Sequence, residues 1–207
     1  MSKFDDRAKD WDKKQTTLDR TEACIENIRK NVDLKNVKNI LEYGCGTGLV
    51  SFALKNNSNK VIGFDNSIGM VEEFNNKAKE RALDNIKAFK HDIENDSIEE
   101  NSFDLIVTSM SLHHIKNLDI FFEKSFKALR NGGTLCINDL EKEDGTFHKK
   151  YNNEGVYHFG FSKEELEEIC FELGFSNFIY ERVFVFKRDY GDFPLFNFYA
   201  KKPFYKE

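Results

Sequence analysis

Three glycines at alternate positions, Gly44, Gly46 and Gly48, follow the apolar pair Ile40-Leu41 and the carboxylate Glu42. A turn without Cβ atoms lets a bulky ligand approach the backbone closely. The acid ahead of it argues against a turn built only for phosphate and offers a hold for a positive or hydrogen-bond-donating group. Cys45 lies inside the loop, where a small core filler is expected rather than a nucleophile. Asp65 ends a second apolar run 17 residues after Gly48. An ionised carboxylate there can accept two hydrogen bonds from a ribose diol, each contributing about 1.5–3 kcal/mol. Dinucleotide-binding proteins place an acid similarly, so Asp65 alone does not choose the ligand. The loop reads Gly-x-Gly-x-Gly, however, and the dinucleotide fingerprint is Gly-x-Gly-x-x-Gly.

Two further sets of polar groups follow apolar runs: His91-Asp92-Ile93, and Ser109-Met110-Ser111-Leu112-His113-His114. A third set, His148, Tyr151, Tyr157 and His158, falls in the connection 139–161, which is long for an α/β unit and so suggests a functional loop. Imidazoles with an ordinary pKa of about 6.5 suit proton removal near neutrality. His148 and His158 are therefore the first candidates for a general base, with His113 or His114 next. A metal site is not expected, because adjacent histidines in a strand-like segment point apart. Cys24, Cys45, Cys136 and Cys170 lack Cys-x-x-Cys spacing and read as buried, reduced thiols.

Strand ends and turns must bring these groups together, and the chain supplies them in alternation. Ile25, Ile28 and Val32 recur at helical spacing over residues 21–32, ahead of the glycine strand. Residues 60–64 form the second strand. Asn66 or Ser67 then caps a helix carrying Met70, Val71, Phe74, Ala78 and Ala82 on one face. Residues 86–89 make a brief third strand, and 103–108 a continuous apolar run, as expected for a parallel strand covered on both faces. Leu118, Phe121, Phe122, Phe126 and Leu129 mark a helix closed by Asn131-Gly132-Gly133. Residues 134–138 give the fifth strand, and Ser162 with Glu165 opens a helix that ends at Gly174. Two β-rich stretches, 178–187 and 195–201, flank Asp189-Tyr190-Gly191-Asp192.

In this order the signals resemble the class I S-adenosylmethionine (SAM)-dependent methyltransferases. Glu42-Tyr43-Gly44-Cys45-Gly46-Thr47-Gly48 is similar to their first motif, and Gly63-Phe64-Asp65-Asn66-Ser67 with Met70 to their second. His91-Asp92-Ile93 resembles the segment that holds adenine, and Leu112-His113-His114 a tract facing the donor. The resemblance spans about residues 8–200. It implies an α/β, Rossmann-like fold: a seven-stranded, mostly parallel sheet with helices on both faces and an antiparallel last strand. It also implies SAM as the donor, S-adenosylhomocysteine as the product, and donor contacts at Glu42, Gly44, Cys45, Gly46, Gly48, Asp65, Asn66, Met70, Asp92, Ile93 and Ser109. Asp92 would accept from the adenine amine and the Ile93 backbone would serve the ring nitrogens. Ala8-Lys9-Asp10-Trp11-Asp12 resembles a segment that folds over the donor in many small members, which adds Trp11. Residues 1–20 thus read as a flap or polar tail and 21–207 as the methyltransferase domain. Two departures, Glu42 for the commoner Asp and Arg130-Asn131-Gly132-Gly133 for Lys-Pro-Gly-Gly, keep the charge and the turn.

The implied reaction is direct displacement, with an acceptor lone pair attacking the sulfonium methyl. No Asn-Pro-Pro-aromatic tetrad of amino-methylating DNA and RNA enzymes follows the fourth strand, so a small-molecule acceptor is expected. A net charge of −5 offers nucleic acid or an anionic membrane no attraction. No apolar run approaches the ~20 residues of a membrane helix. A chain of 207 residues suits one cytoplasmic domain. The alternatives are a NAD-type oxidoreductase and a SAM-binding protein without transfer activity.

Overall fold

Five apolar runs become the parallel strands β1 (Asn39–Tyr43), β2 (Lys60–Asp65), β3 (Ile86–Lys90), β4 (Phe103–Ser109) and β5 (Leu129–Leu140). In the computed structural model, which describes residues 5–204, they lie in the order β3-β2-β1-β4-β5. The chain then makes β6 (Ser176–Arg188) and inserts β7 (Gly191–Lys201) between β6 and β5, antiparallel to both. Only β7 runs against the other six strands, as the resemblance implied. Sheet building goes outward from β1 to β3 and then returns to β4 on the other side of β1. Connections therefore leave the carboxyl ends of β1 and β4 in opposite directions, and the crevice between them is where open α/β sheets bind ligands.

Helices α1 (Gln15–Asn31), α2 (Leu49–Leu54), α3 (Ile68–Glu80), α4 (Leu118–Ala128) and α5 (Lys163–Glu172) cover the sheet. Their starts follow capping chemistry. Ser67 Oγ accepts from Met70 N, Asn117 Oδ1 from Ile120 N, and Ser162 Oγ from Glu165 N. One apolar core, including Ile40, Val61, Phe74 and Leu105, fills one face; the other, with Leu41, Ile106, Phe121 and Phe198, fills the opposite face.

Two expected boundaries shift. α1 begins at Gln15 rather than at residue 21, so the expected domain boundary falls inside a helix. Apolar periodicity missed the first turns because the buried positions there are Thr17, Arg20 and Thr21. α4 ends at Ala128, ahead of the Asn131-Gly132-Gly133 turn, because Leu129 already pairs with Phe103 in β5. Residues 5–13 form a 3-10 segment lying against α3, with Asp5 Oδ1 accepting from Ser67 Oγ and Gly69 N. Residues 1–4 of the expected N-terminal flap lie outside the described residues.

A buried polar chain fixes α1 to the sheet. Asn197 Nδ2 of β7 donates to the Cys24 carbonyl and to Asn27 Oδ1, and Tyr199 Oη donates to Asn27 Oδ1 at 2.6 Å. On β6, Glu181 accepts from Asn27, Lys30 and Asn31. These contacts set where the first turns of α1, and so Arg20, stand over the crevice.

Candidate active site

A cavity of about 500 Å³ opens at the crevice, within the range of small-molecule sites. Glu42, Gly44, Cys45, Gly46, Asp65, Asn66, Met70, Asp92, Ile93, Ser109 and Trp11, all expected from sequence, line it. Their individual roles differ from the expectation in several places.

Among the three loop glycines only Gly46 faces open space, with Met70 Sδ 3.9 Å from where a Cβ would stand. A Cβ on Gly44 would fall 1.9 Å from Ser111 Oγ, and one on Gly48 would fall 2.6 Å from Phe74. Gly44 and Gly48 are bare for packing, and Gly48 does not line the cavity. The Gly46 N–H donates to Asp65 Oδ2 at 2.8 Å while Ser67 N donates to Oδ1 at 2.9 Å. Burial raises the Asp65 pKa, opposed by these donors. Cys45 turns its sulfur into the core beside Gly63, and burial pushes its thiol well up, as a filler rather than a nucleophile.

Glu42 lies within β1, not after it, and is 2% exposed. Its Oε2 accepts from Ser51 N at 2.8 Å and from Ser51 Oγ, so it ties α2 to β1. Burial pushes its pKa up to about 8 from an ordinary 4.5. Between those two pH values the folded chain holds a proton that the unfolded chain releases, so stability falls as pH rises. Glu42→Gln removes that slope. In urea melts the variant is expected to gain on the parent as pH goes from 5 to 8, reaching a few kcal/mol at the upper end. Equal differences at both pH values would show that Glu42 is ionised in the fold.

The Ile93 backbone does not await a ligand, because its N–H donates to Tyr43 Oη at 2.9 Å. Tyr43, whose pKa burial also raises, thereby holds the loop after β3 in place. Asp92 remains on the cavity wall, its carboxylate kept low by donors from Asn95 and Glu94. Ser109 Oγ donates to Asn138 Oδ1 at 2.9 Å.

His113 and His114 sit on a 3-10 turn, not a strand, so the rings do not point apart; their centroids are 4.1 Å from each other. Asp139, fully buried at the end of β5, accepts from His113 Nδ1 at 2.7 Å. His148 reaches the same place, its Nε2 3.2 Å from His113 Nε2. His158 does not. Its Nε2 donates to the Ile115 carbonyl at 2.9 Å and its ring packs near Phe161, so it is not part of the cavity wall and is dropped as a base candidate. The 139–161 connection is pinched at its base by the Glu141–Phe161 bridge and tied to the 3-10 turn by Tyr157 N donating to the His113 carbonyl. Tyr157 lines the cavity; the side chain of Tyr151 lies outside the described residues.

Two groups on the wall, Arg188 and Arg20, and one buried behind it, Asp139, escaped sequence reasoning. Arg188, stacked 4.1 Å over Phe147, closes one side together with Phe186. Asp139 orients His113. Arg20 is 8% exposed, and among the described residues nothing accepts a hydrogen bond from it. Desolvation lowers its pKa, offset by Asp139 and Glu42 nearby. A polar residue on the inner face of an amphipathic helix was the one available signal.

The sheet order, the inserted last strand and the glycine-loop cavity define the class I methyltransferase type of α/β protein. The chain belongs to this class: the family model described as Methyltransferase domain matches residues 34–184. An uncharacterized methyltransferase, C1347.09, of Schizosaccharomyces pombe is 30% identical over 70% of this chain and 58% of its own length. The ubiquinone biosynthesis O-methyltransferase of Coxiella burnetii is 27% identical over 69% of this chain and 62% of its own. The chain thus spans about three fifths of these relatives. Phosphoethanolamine N-methyltransferase 2 of Haemonchus contortus, solved with S-adenosylhomocysteine, shares the fold at TM-score 0.73 and 19% identity, covering 86% of this chain and 52% of that one. Among the described residues no helix is long and apolar enough to cross a membrane.

Proposed function

We propose that this chain is an enzyme that moves a methyl group from SAM to a small-molecule acceptor. The observation that carries the reading is one cavity holding both Asp65 beside the bare Gly46 backbone and a buried guanidinium, Arg20, with no hydrogen-bond acceptor among the described residues. SAM brings complementary groups: a ribose diol for Asp65 and an amino-acid carboxylate for Arg20. It supplies a methyl on a sulfonium centre that leaves as a neutral thioether. Asp92 would accept from the adenine amine on a loop that Tyr43 holds, and Met70 and Ile93 would pack against the ring. His113 and His148, with Phe147, Phe186 and Arg188, would form the acceptor end. Aligning two bound reactants contributes roughly 7–11 kcal/mol with no covalent catalyst.

Residues 5–13 would act as a strap over the donor. Asp12 accepts from Thr47 Oγ1 in the glycine loop and pairs with Lys77 of α3, while Trp11 lines the cavity. Titration with S-adenosylhomocysteine, followed by heat and by the emission of Trp11, the chain's one tryptophan, tests both points. Saturable heat with a change in emission is expected, and NAD should not compete. Heat without a change in emission removes the strap; competition by NAD returns the oxidoreductase reading. Labelled SAM incubated with a metabolite extract then separates an enzyme from a mere SAM-binding protein.

A further inference from the structure

We propose that His113, His114 and His148 form a site for a single first-row divalent cation, zinc foremost, with a coordination position open to the cavity. One ring nitrogen from each of the three lies within 4.8 Å of those of the others. Nitrogens bound at about 2.0–2.1 Å in a tetrahedral shell stand roughly 3.3 Å apart. The His113 and His148 Nε2 atoms are already 3.2 Å apart, and a His114 ring nitrogen lies within 4.8 Å of the ligand atoms of both.

The tautomers agree with this use. His113 Nδ1 donates to the buried Asp139 carboxylate and His114 Nδ1 donates to the Gly155 carbonyl, which puts the lone pair on Nε2 in both rings. A ligating histidine whose other nitrogen donates to a carboxylate or carbonyl is the usual arrangement around a protein-bound metal. Burying Asp139 completely is costly unless positive charge is near, and a cation behind His113 would add to that of Arg20. The ligands come from two segments that the backbone already joins, since Tyr157 N and His158 N both donate to the His113 carbonyl. Three imidazoles suit zinc, iron, nickel or copper and not magnesium or calcium. Three protein ligands with a fourth position open is the pattern of reactive rather than structural zinc.

The role rests on the methyltransferase reading; the binding of metal does not. An acceptor hydroxyl or thiol in the open position would lose its proton to solvent and keep the electron pair. That pair would form the new bond to the methyl carbon while the carbon–sulfur bond breaks and sulfur retains its electrons. The acceptor class would then be an alcohol, phenol or thiol rather than an amine.

The test uses the full chain without an affinity tag, stripped with a chelator and titrated with Co²⁺ and Zn²⁺. We expect one equivalent bound, visible Co²⁺ absorption bands that Zn²⁺ displaces, and about hundredfold or greater weakening in both His148→Gln and His114→Gln. Circular dichroism and thermal melts check that these variants fold. No stoichiometric Co²⁺ at micromolar concentrations, or unchanged binding in folded variants, overturns the site. The two Nε2 atoms would then share a proton instead. S-adenosylhomocysteine titrated into the stripped protein keeps the readings apart: its binding without metal binding sinks only the metal site, and metal binding without it sinks only the donor assignment.

Discussion

Asp65→Ala is expected to weaken S-adenosylhomocysteine binding about a hundredfold while the chain stays folded. Two charge-assisted hydrogen bonds to a diol, at about 1.5 kcal/mol each, give about 3 kcal/mol, which is that factor. The structure adds to the loss, because the same carboxylate accepts from Gly46 N and Ser67 N and so sets the glycine loop against the start of α3. Asp65→Asn separates the contributions. It keeps one acceptor for the loop but loses the charge, so its affinity should fall between parent and Ala. Calorimetry reads both variants. Parent-like affinity in a folded Ala variant would remove Asp65 from the donor site.

Arg20→Met should move affinity and stability in opposite directions. A buried guanidinium with no hydrogen-bond acceptor among the described residues is costly to the empty fold, and Met keeps much of its length without the charge. The ligand-free variant is therefore expected to melt higher by several degrees, corresponding to about 1–2 kcal/mol in a chain of this size. Affinity for S-adenosylhomocysteine should drop by tenfold to a hundredfold, since the carboxylate loses a charged partner worth about 1.5–3 kcal/mol. Thermal melts with and without ligand measure both effects in one experiment. A lower melting temperature would mean that Arg20 is compensated by Asp139 and serves the fold, not the ligand.

The half of the cavity proposed for the donor was legible because strand ends and glycine turns are written in adjacent residues. β2 with Asp65, Ser67 as a cap and Met70 all follow from period and capping chemistry within ten residues. The half proposed for the acceptor was not, because its groups meet only through tertiary contacts. Nothing local tells that Asp139 at the end of β5 will receive His113 from the turn after β4, or that His148 and not His158 will join them. The strand rule applied to His113-His114 failed because the segment coils into a 3-10 turn. Arg20 was hidden in a helix whose buried face is polar where it meets the cavity and apolar only beyond it. The loop glycines taught a similar lesson: their spacing marked the turn, but close packing by Ser111 and Phe74, rather than a ligand, explains two of the three.

The place of β7 governs when this protein becomes competent during synthesis. β5 has no outer neighbour until β7 arrives, and β6 cannot join the sheet except through β7. At about 5–20 residues per second, a ribosome spends on the order of several seconds between completing β5 and completing β7. Throughout that interval the β5 edge and its apolar Leu135 and Ile137 are a template for unwanted strand pairing. Asn197, which pins α1 and hence Arg20 over the crevice, is made only with β7. Truncation before Gly191 would therefore remove more than an edge strand. It would leave a nascent sheet with the glycine loop formed, the helix that carries Arg20 unanchored, and an open edge exposed to its neighbours.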